Sequence, residues 1–185
     1  MKPHPGNALA LVPPPRLTRI WLFVLAFAVP LLITGVALGM VTARAPQQAG
    51  IELLAVIALS VAIMLGVWFI TARLLNRQAI NLADGNLEIT GALHKRRLAL
   101  AELDLAQARV VNLSERTELR PRLKLFGMGL PGFRSGWFLL GNGRRGFVSM
   151  TNGSRVLWIP TRKGYDLLLE LQQPQAALDQ LRKRI

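Results

Sequence analysis

Apolar positions follow two different patterns along the chain. Toward the amino end they are continuous. Residues 20–41 form a run of 22 without a charge, 18 of them apolar, and residues 53–72 a run of 20 without a charge, 17 of them apolar. As α-helix, at about 1.5 Å per residue, these runs reach roughly 33 and 30 Å, the thickness of a bilayer's hydrocarbon core. Both are read as transmembrane helices, because the rest of the chain is too small to enclose them on all sides. A cleaved signal peptide ending at Ala43-Arg44-Ala45 is the competing reading of the first run. That run is longer than a signal core of about 7–15 residues, and Pro46 would follow the scissile bond. The short connection, about residues 42–52, makes the pair an antiparallel hairpin. Pro30 removes one backbone donor and predicts a kink in the first helix.

From residue 87 the apolar positions break into short segments separated by turn residues. Strands are expected at 87–93, 97–103, 106–113, 137–140, 147–150, 155–159 and 165–169. Turns are expected at His94-Lys95-Arg96, Gly141-Asn142-Gly143 and Arg162-Lys163-Gly164, and Asn152-Gly153 is a hairpin signal. The period then becomes helical. Pro174 suits a first helical turn, Leu178, Leu181 and Ile185 share one face, and Arg182, Lys183 and Arg184 sit where cations favour the helix dipole. The expected fold is a two-helix transmembrane hairpin plus a mainly-β domain, an antiparallel sandwich or barrel closed by a carboxyl-terminal helix. Its divisions are a flexible proline-rich tail (1–18), the hairpin (19–75, helices about 20–41 and 53–72), a linker (76–86) and the β domain (87–185).

Composition sharpens this division. The 185 residues are 51% hydrophobic with a formal charge of +13. The absence of cysteine rules out a disulfide scaffold, a thiolate metal site and a cysteine nucleophile, and two histidines, His4 and His94, leave little for a metal or a triad. Lys2, Arg16 and Arg19 precede the first run and Arg73 and Arg77 follow the second, against Arg44 alone between them. The positive-inside rule then places both termini in the cytoplasm. No charge lies inside either run, which argues against an ion pathway. Gly35 and Gly39 on the first helix, and Ala58, Ala62 and Gly66 on the second, have the small-x-x-x-small spacing that lets helices pack closely, within the hairpin or between copies.

Several runs carry a resemblance. Leu130-Pro131-Gly132-Phe133-Arg134-Ser135-Gly136-Trp137-Phe138, Gly141-Asn142-Gly143, and Val156-Leu157-Trp158-Ile159-Pro160-Thr161-Arg162-Lys163-Gly164-Tyr165 look like the bacterial pleckstrin-homology-like domain family. The resemblance covers roughly residues 87–183. It implies two packed antiparallel sheets, a carboxyl-terminal helix, frequent attachment to membrane helices and no catalytic activity; no cofactor is expected.

Candidate chemistry is mainly positive charge. Residues 73–185 hold 19 Lys and Arg against nine Asp and Glu. Lys95-Arg96-Arg97, Arg144-Arg145 and Arg162-Lys163 are the candidate ligand or lipid contacts, and Arg116, Arg120, Arg122 and Lys124 form a fourth group. A cation near an anionic leaflet contributes about 1 kcal/mol, fading within a Debye length. Up-and-down alternation puts Arg144 and Arg145 at the opposite end from Lys95, which disfavours one composite phosphate pocket. Gly127-Met128-Gly129-Leu130-Pro131-Gly132 matches G-x-G-x-x-G formally, but no helix can follow it and no acid lies about 20 residues on. It is read as a glycine connection crossing between sheets. His94 has no nearby acid, and Glu102 with Asp104 defines no pocket. Nucleic-acid binding, which positive charge would permit, is not expected for want of an aromatic platform. The functional expectation is a non-catalytic module at the cytoplasmic face of a bacterial inner membrane, binding a protein or peptide partner or self-assembling. The alternative is recognition of anionic lipid head groups, and a membrane enzyme is a distant third.

Overall fold

A computed structural model of the chain describes residues 9–44, 50–76, 79–83, 85–91 and 95–184. It divides into two units, residues 16–74 and residues 1–15 with 75–185. His4, His94, most of the inter-helix connection and Ile185 lie outside the described residues.

The first unit is helical: α1 (Arg16–Phe23), a π-helical turn (Val24–Ala28), α2 (Val29–Arg44) and α3 (Ile51–Asn76). Two stretches, Arg16–Met40 and Val56–Leu75, are long and apolar enough to cross a membrane. The π turn is the local answer to Pro30. Proline has no N–H and its ring excludes the carbonyl four residues back, so the ladder widens and the Val29 N–H donates to the Val24 carbonyl. Leu22, Ala26 and Met64 are buried within the unit. Phe27 meets Trp68 edge to face, with centroids 6.0 Å apart. Thr34 and Ser60 turn their hydroxyls back to the Pro30 and Val56 carbonyls, both at 2.8 Å, so neither carries an unsatisfied donor into the apolar surround. Gly35, Gly39, Ala58, Ala62 and Gly66 are exposed, and a Cβ built at any of the three glycines meets nothing described within 4 Å beyond its chain neighbours and its own helix backbone. Ala26, Pro30 and Thr34 line one crevice with Ser60 and Met64, and Gly35 lines a second with the same two residues.

Among the described residues the second unit holds nine strands in two sheets. A three-stranded antiparallel sheet contains β1 (Ala79–Ala83), β2 (Asn86–Thr90) and β3 (Lys95–Ala99) in that order. A six-stranded sheet runs β4-β8-β9-β7-β6-β5, from β4 (Arg109–Asn112), β5 (Pro121–Leu130), β6 (Phe133–Leu140), β7 (Arg145–Met150), β8 (Arg155–Pro160) and β9 (Tyr165–Leu169). Helix α4 (Pro174–Arg182) follows, with proline in its first turn. The expected mainly-β unit with a closing helix is therefore present. Four details differ. The expected linker contains β1, which pairs with β2 from Ala79↔Thr90 to Ala83↔Asn86. Lys95 and Arg96 are strand residues, not turn residues. The six-stranded sheet is mixed, because β9 lies between β7 and β8 and runs parallel to β7. Asn152-Gly153 consequently does not close a hairpin.

Burial explains the order of the central strands. Val156–Ile159 and Tyr165–Leu169 are buried at every position, as in strands covered on both faces, and Asp166 is the one charged residue among them. One face packs Phe147, Leu157, Ile159 and Leu167 against Leu87, Ile89 and Leu98 of the small sheet and Leu178 and Leu181 of α4. The other face packs Val148, Val156, Trp158 and Leu168 against Val111, Leu113, Leu119 and Phe138. The β7–β8 crossover is held by Glu170, whose carboxylate accepts from the Thr151 N–H at 2.6 Å and the Thr151 hydroxyl at 2.9 Å. A side chain at Gly153 would collide with that carboxylate.

The expected flexible tail is partly built into this unit. Leu9 is 7% exposed and belongs to the first core. The Val12 N–H donates to the Glu170 carbonyl at 3.1 Å, and the Gln172 N–H to the Ala10 carbonyl at 3.0 Å. Leu9 and Leu11 supply the apolar contacts that offset the entropy of ordering these residues.

The formal G-x-G-x-x-G run is the end of β5 and its hairpin turn into β6, not a connection between sheets. Gly127 and Gly136 stand opposite each other with φ of 141° and 128°. A Cβ at Gly127 would lie 2.8 Å from the Gly136 Cα, so two glycines let the backbones approach where no side chain fits.

Gly136→Ala should destabilise the protein by about 1–3 kcal/mol through backbone strain alone. Leu9→Ala should cost about 2–3 kcal/mol if the amino-terminal segment is core. Both are read as lowered midpoints of thermal unfolding in detergent, followed by circular dichroism. An unchanged midpoint for Leu9→Ala would mean the segment is not docked.

Candidate functional site

A cleft of about 920 Å³ lies at one end of the β unit. Its walls include Arg96, Arg144, Arg145 and Lys163 together with Leu125, Phe126, Trp137 and Tyr165. Strand pairing explains the convergence. β7 and β9 are parallel, so both start at the same end, with Arg145 beside Tyr165. The turns before them, at 141–144 and 161–164, deliver Arg144 and Lys163 there. On β6, Trp137 pairs with Phe147 one step further in.

Arg96 arrives by alternation. On β3, Leu98 pairs with buried Leu87 and Arg96 pairs with buried Ile89, so both face inward. Arg96 is the end of that inward row, and its guanidinium covers the Trp137 ring at 5.0 Å. Such a contact contributes about 1 kcal/mol. Lys95 and Arg97 fall on the other face, where both approach Glu88, at 3.2 and 3.7 Å. The three consecutive cations are therefore split. The expectation that the basic clusters lie at opposite ends fails for Arg96, which joins Arg144 and Arg145, while Lys95 and Arg97 remain outside the cleft. Arg162 also lies outside: its N–H donates to the Glu102 carbonyl and its side chain is exposed.

Each wall is braced from behind. Asp166 is fully buried; one carboxylate oxygen accepts from the Trp158 indole N–H at 3.1 Å and the other lies 3.1 Å from the Arg144 guanidinium. That second oxygen has the ion-pair distance without the angle of a hydrogen bond, so Arg144 is held electrostatically rather than clamped. Lys163 pairs with Glu102 at 2.8 Å. Glu102 ends a 3₁₀ turn (Leu100–Glu102) that directly follows β3, which ties the small sheet to the β8–β9 turn. The part-exposed Lys163–Glu102 pair stabilises the fold by no more than about 1 kcal/mol, so its main effect is position, whereas Arg144 offsets the burial of the Asp166 charge. Among the described residues no acid lines the cleft, and Arg96 and Arg145 have no carboxylate within ion-pair distance.

The aromatic residues were not legible as a group. Trp137 meets Phe147 and Tyr165 edge to face, with centroids 5.4 and 5.0 Å apart. The three come from three strands and become a cluster only through the β6-β7-β9 order. Burial raises the Tyr165 phenol above its usual pKa, and Arg96 and Lys163 oppose that rise. At neutral pH the hydroxyl is a neutral donor or acceptor at the cleft floor. A polar hollow of about 400 Å³ at β4, lined by Asn112, Glu115, Arg155 and Gln175, balances its charges and shows no comparable convergence.

Tyr165 is the only tyrosine of the chain, so absorbance near 295 nm reports it alone. A raised folded pKa gives stability that is present below the unfolded value and is lost as pH rises through the folded one. The titration should show one step above pH 10, and Arg96→Gln should move it higher by removing a cation that favours phenolate. A step at or below the ordinary value would mean that Tyr165 is solvated.

Comparison with known proteins gives no match: no family model, no curated protein and no solved structure is similar enough to place the chain.

Proposed function

We propose that the β unit is a non-catalytic binding module that takes an anionic group, a phosphate on a lipid head group being the best fit, into the cleft between Arg96, Arg144, Arg145 and Lys163. One observation carries this reading: four cations from three separate stretches of chain converge on one aromatic-walled cleft that no acid lines among the described residues. Gathering like charges costs folding energy, and Asp166 and Glu102 offset only two of them. A bound anion relieves the rest. Guanidinium groups bind phosphate in a planar, bidentate fashion and are weakly hydrated, so they keep their strength in a partly desolvated cleft. Trp137, Phe126 and Leu125 suit an organic portion attached to the anion.

The same reading places the protein in a bilayer, spanned by the two long apolar helices. The docking of Leu9–Val12 onto residues 170–172 supports a two-span topology with both ends on one side. The segment before the first span and the unit after the second belong to the same folded body. The excess of flanking cations supports a cytoplasmic assignment for that side, in a bacterial inner membrane. Kinship with pleckstrin-homology-like domains is proposed on the 130–138 and 156–165 runs and on the two sheets with their closing helix; the parallel β7–β9 pair departs from the antiparallel pattern expected of it. Of the functions expected from sequence, head-group recognition is favoured over capture of a protein partner, since the cleft is concave, cationic and small enough for one head group.

Full chain in mild detergent should bind glycerol 1-phosphate and dihexanoyl phosphatidylglycerol saturably in calorimetric titrations. Arg96→Gln and Arg145→Gln should each weaken binding about tenfold, the value of one charged hydrogen bond. Arg162→Gln should not. Equal loss in all three variants would mean diffuse attraction, and no binding to the wild-type chain would remove the reading.

A further inference from the structure

In the described part of the β unit, three large apolar side chains are exposed, and all lie on β5: Leu123 at 58%, Leu125 at 46% and Phe126 at 60%. β5 is an edge strand. Its register with β6 slips twice, which leaves Arg122 and Leu125 without a counterpart. Such bulges twist an edge away from strand pairing and re-aim its side chains. Arg122 and Lys124 alternate with the apolar residues and are exposed as well. The whole hairpin, residues 121–140, carries Arg122, Lys124 and Arg134 and no acid. Leu125 and Phe126 also form a wall of the cationic cleft, so ridge and cleft are one continuous surface.

We propose that Leu123, Leu125 and Phe126 are a wedge that enters the interfacial layer of an anionic bilayer. Charge complementarity commits this face to a membrane. Apolar side chains interleaved with cations match an interface in which acyl chains lie beneath phosphates, the side chains entering the first and the cations remaining at the second. A protein occupant would have to provide an apolar groove and a ring of acids together. The wedge rests on the anion-binding reading of the cleft for one point: it makes lipid, rather than a free solute, the source of the phosphate.

The chain has no cysteine, so single cysteines can be introduced and spin-labelled without background. Full-length Leu123→Cys, Leu125→Cys and Phe126→Cys are reconstituted into vesicles of phosphatidylcholine with one third phosphatidylglycerol. Ala176→Cys, on the exposed side of α4, is the reference. Collision with oxygen against a water-soluble nickel chelate reads depth. The three β5 labels should favour oxygen several-fold over Ala176→Cys, and the preference should fall in phosphatidylcholine alone. Labels as open to nickel as the reference overturn the wedge, as does an undiminished preference without anionic lipid. Dipolar broadening between copies also overturns it, assigning the face to a second chain. Labels at depth in a chain that fails to bind glycerol 1-phosphate uphold the wedge and remove only the reading of the cleft.

Discussion

The placement of β9 between β7 and β8 is the constraint on which the rest of the β unit depends. A strand inserted there must be buried on both faces, and the sequence supplies unbroken apolar runs at 156–159 and 167–169 to meet that demand. It must also run parallel to β7, since it is antiparallel to β8 in a tight connection. Parallel strands start at the same end. The two turns that precede them therefore bring their cations to one place, and the aromatic residues of β6 and β9 lie between them. The cleft follows from topology before any ligand is considered.

The same constraint explains the buried carboxylates. Asp166 lies on a central strand with no route to solvent, and it is tolerated because Trp158 and Arg144 meet its two oxygens. Glu170, at the other end of β9, replaces the turn that a simple hairpin would have given and holds the crossover through Thr151. It also receives the amino-terminal segment at its backbone. One strand thus joins the cleft, the crossover and the docked end of the chain.

Much of this was legible in the sequence, and the rest was not, for identifiable reasons. The long uncharged runs specify helices by length and composition. Most strands and the α4 helix announce themselves by period and by the turn residues between them. Strand order is different: Asn152-Gly153 has the local chemistry of a hairpin, yet the partners are chosen by burial of Leu167–Leu169, a non-local term. Lys95-Arg96-Arg97 reads as one basic patch until β3 is known to begin at Lys95; the alternation through Leu98 and Ile89 then splits it. That signal was available, in the apolar residue two positions after Arg96. The meeting of Trp137 with Tyr165, and the exposure of Leu125 and Phe126, carried no local signal, because both depend on which strand is at the edge.

The account's central claim is that cations from β3, β7 and the β6–β7 and β8–β9 turns form one anion site. A crystal structure of the full chain grown with a short-chain anionic phospholipid tests it most directly. The account predicts phosphate density within hydrogen-bond distance of Arg96 and Arg145, over the Trp137–Tyr165 floor. Phosphate bound only at Lys95, Arg97 or Arg162, with the cleft filled by solvent, would contradict it.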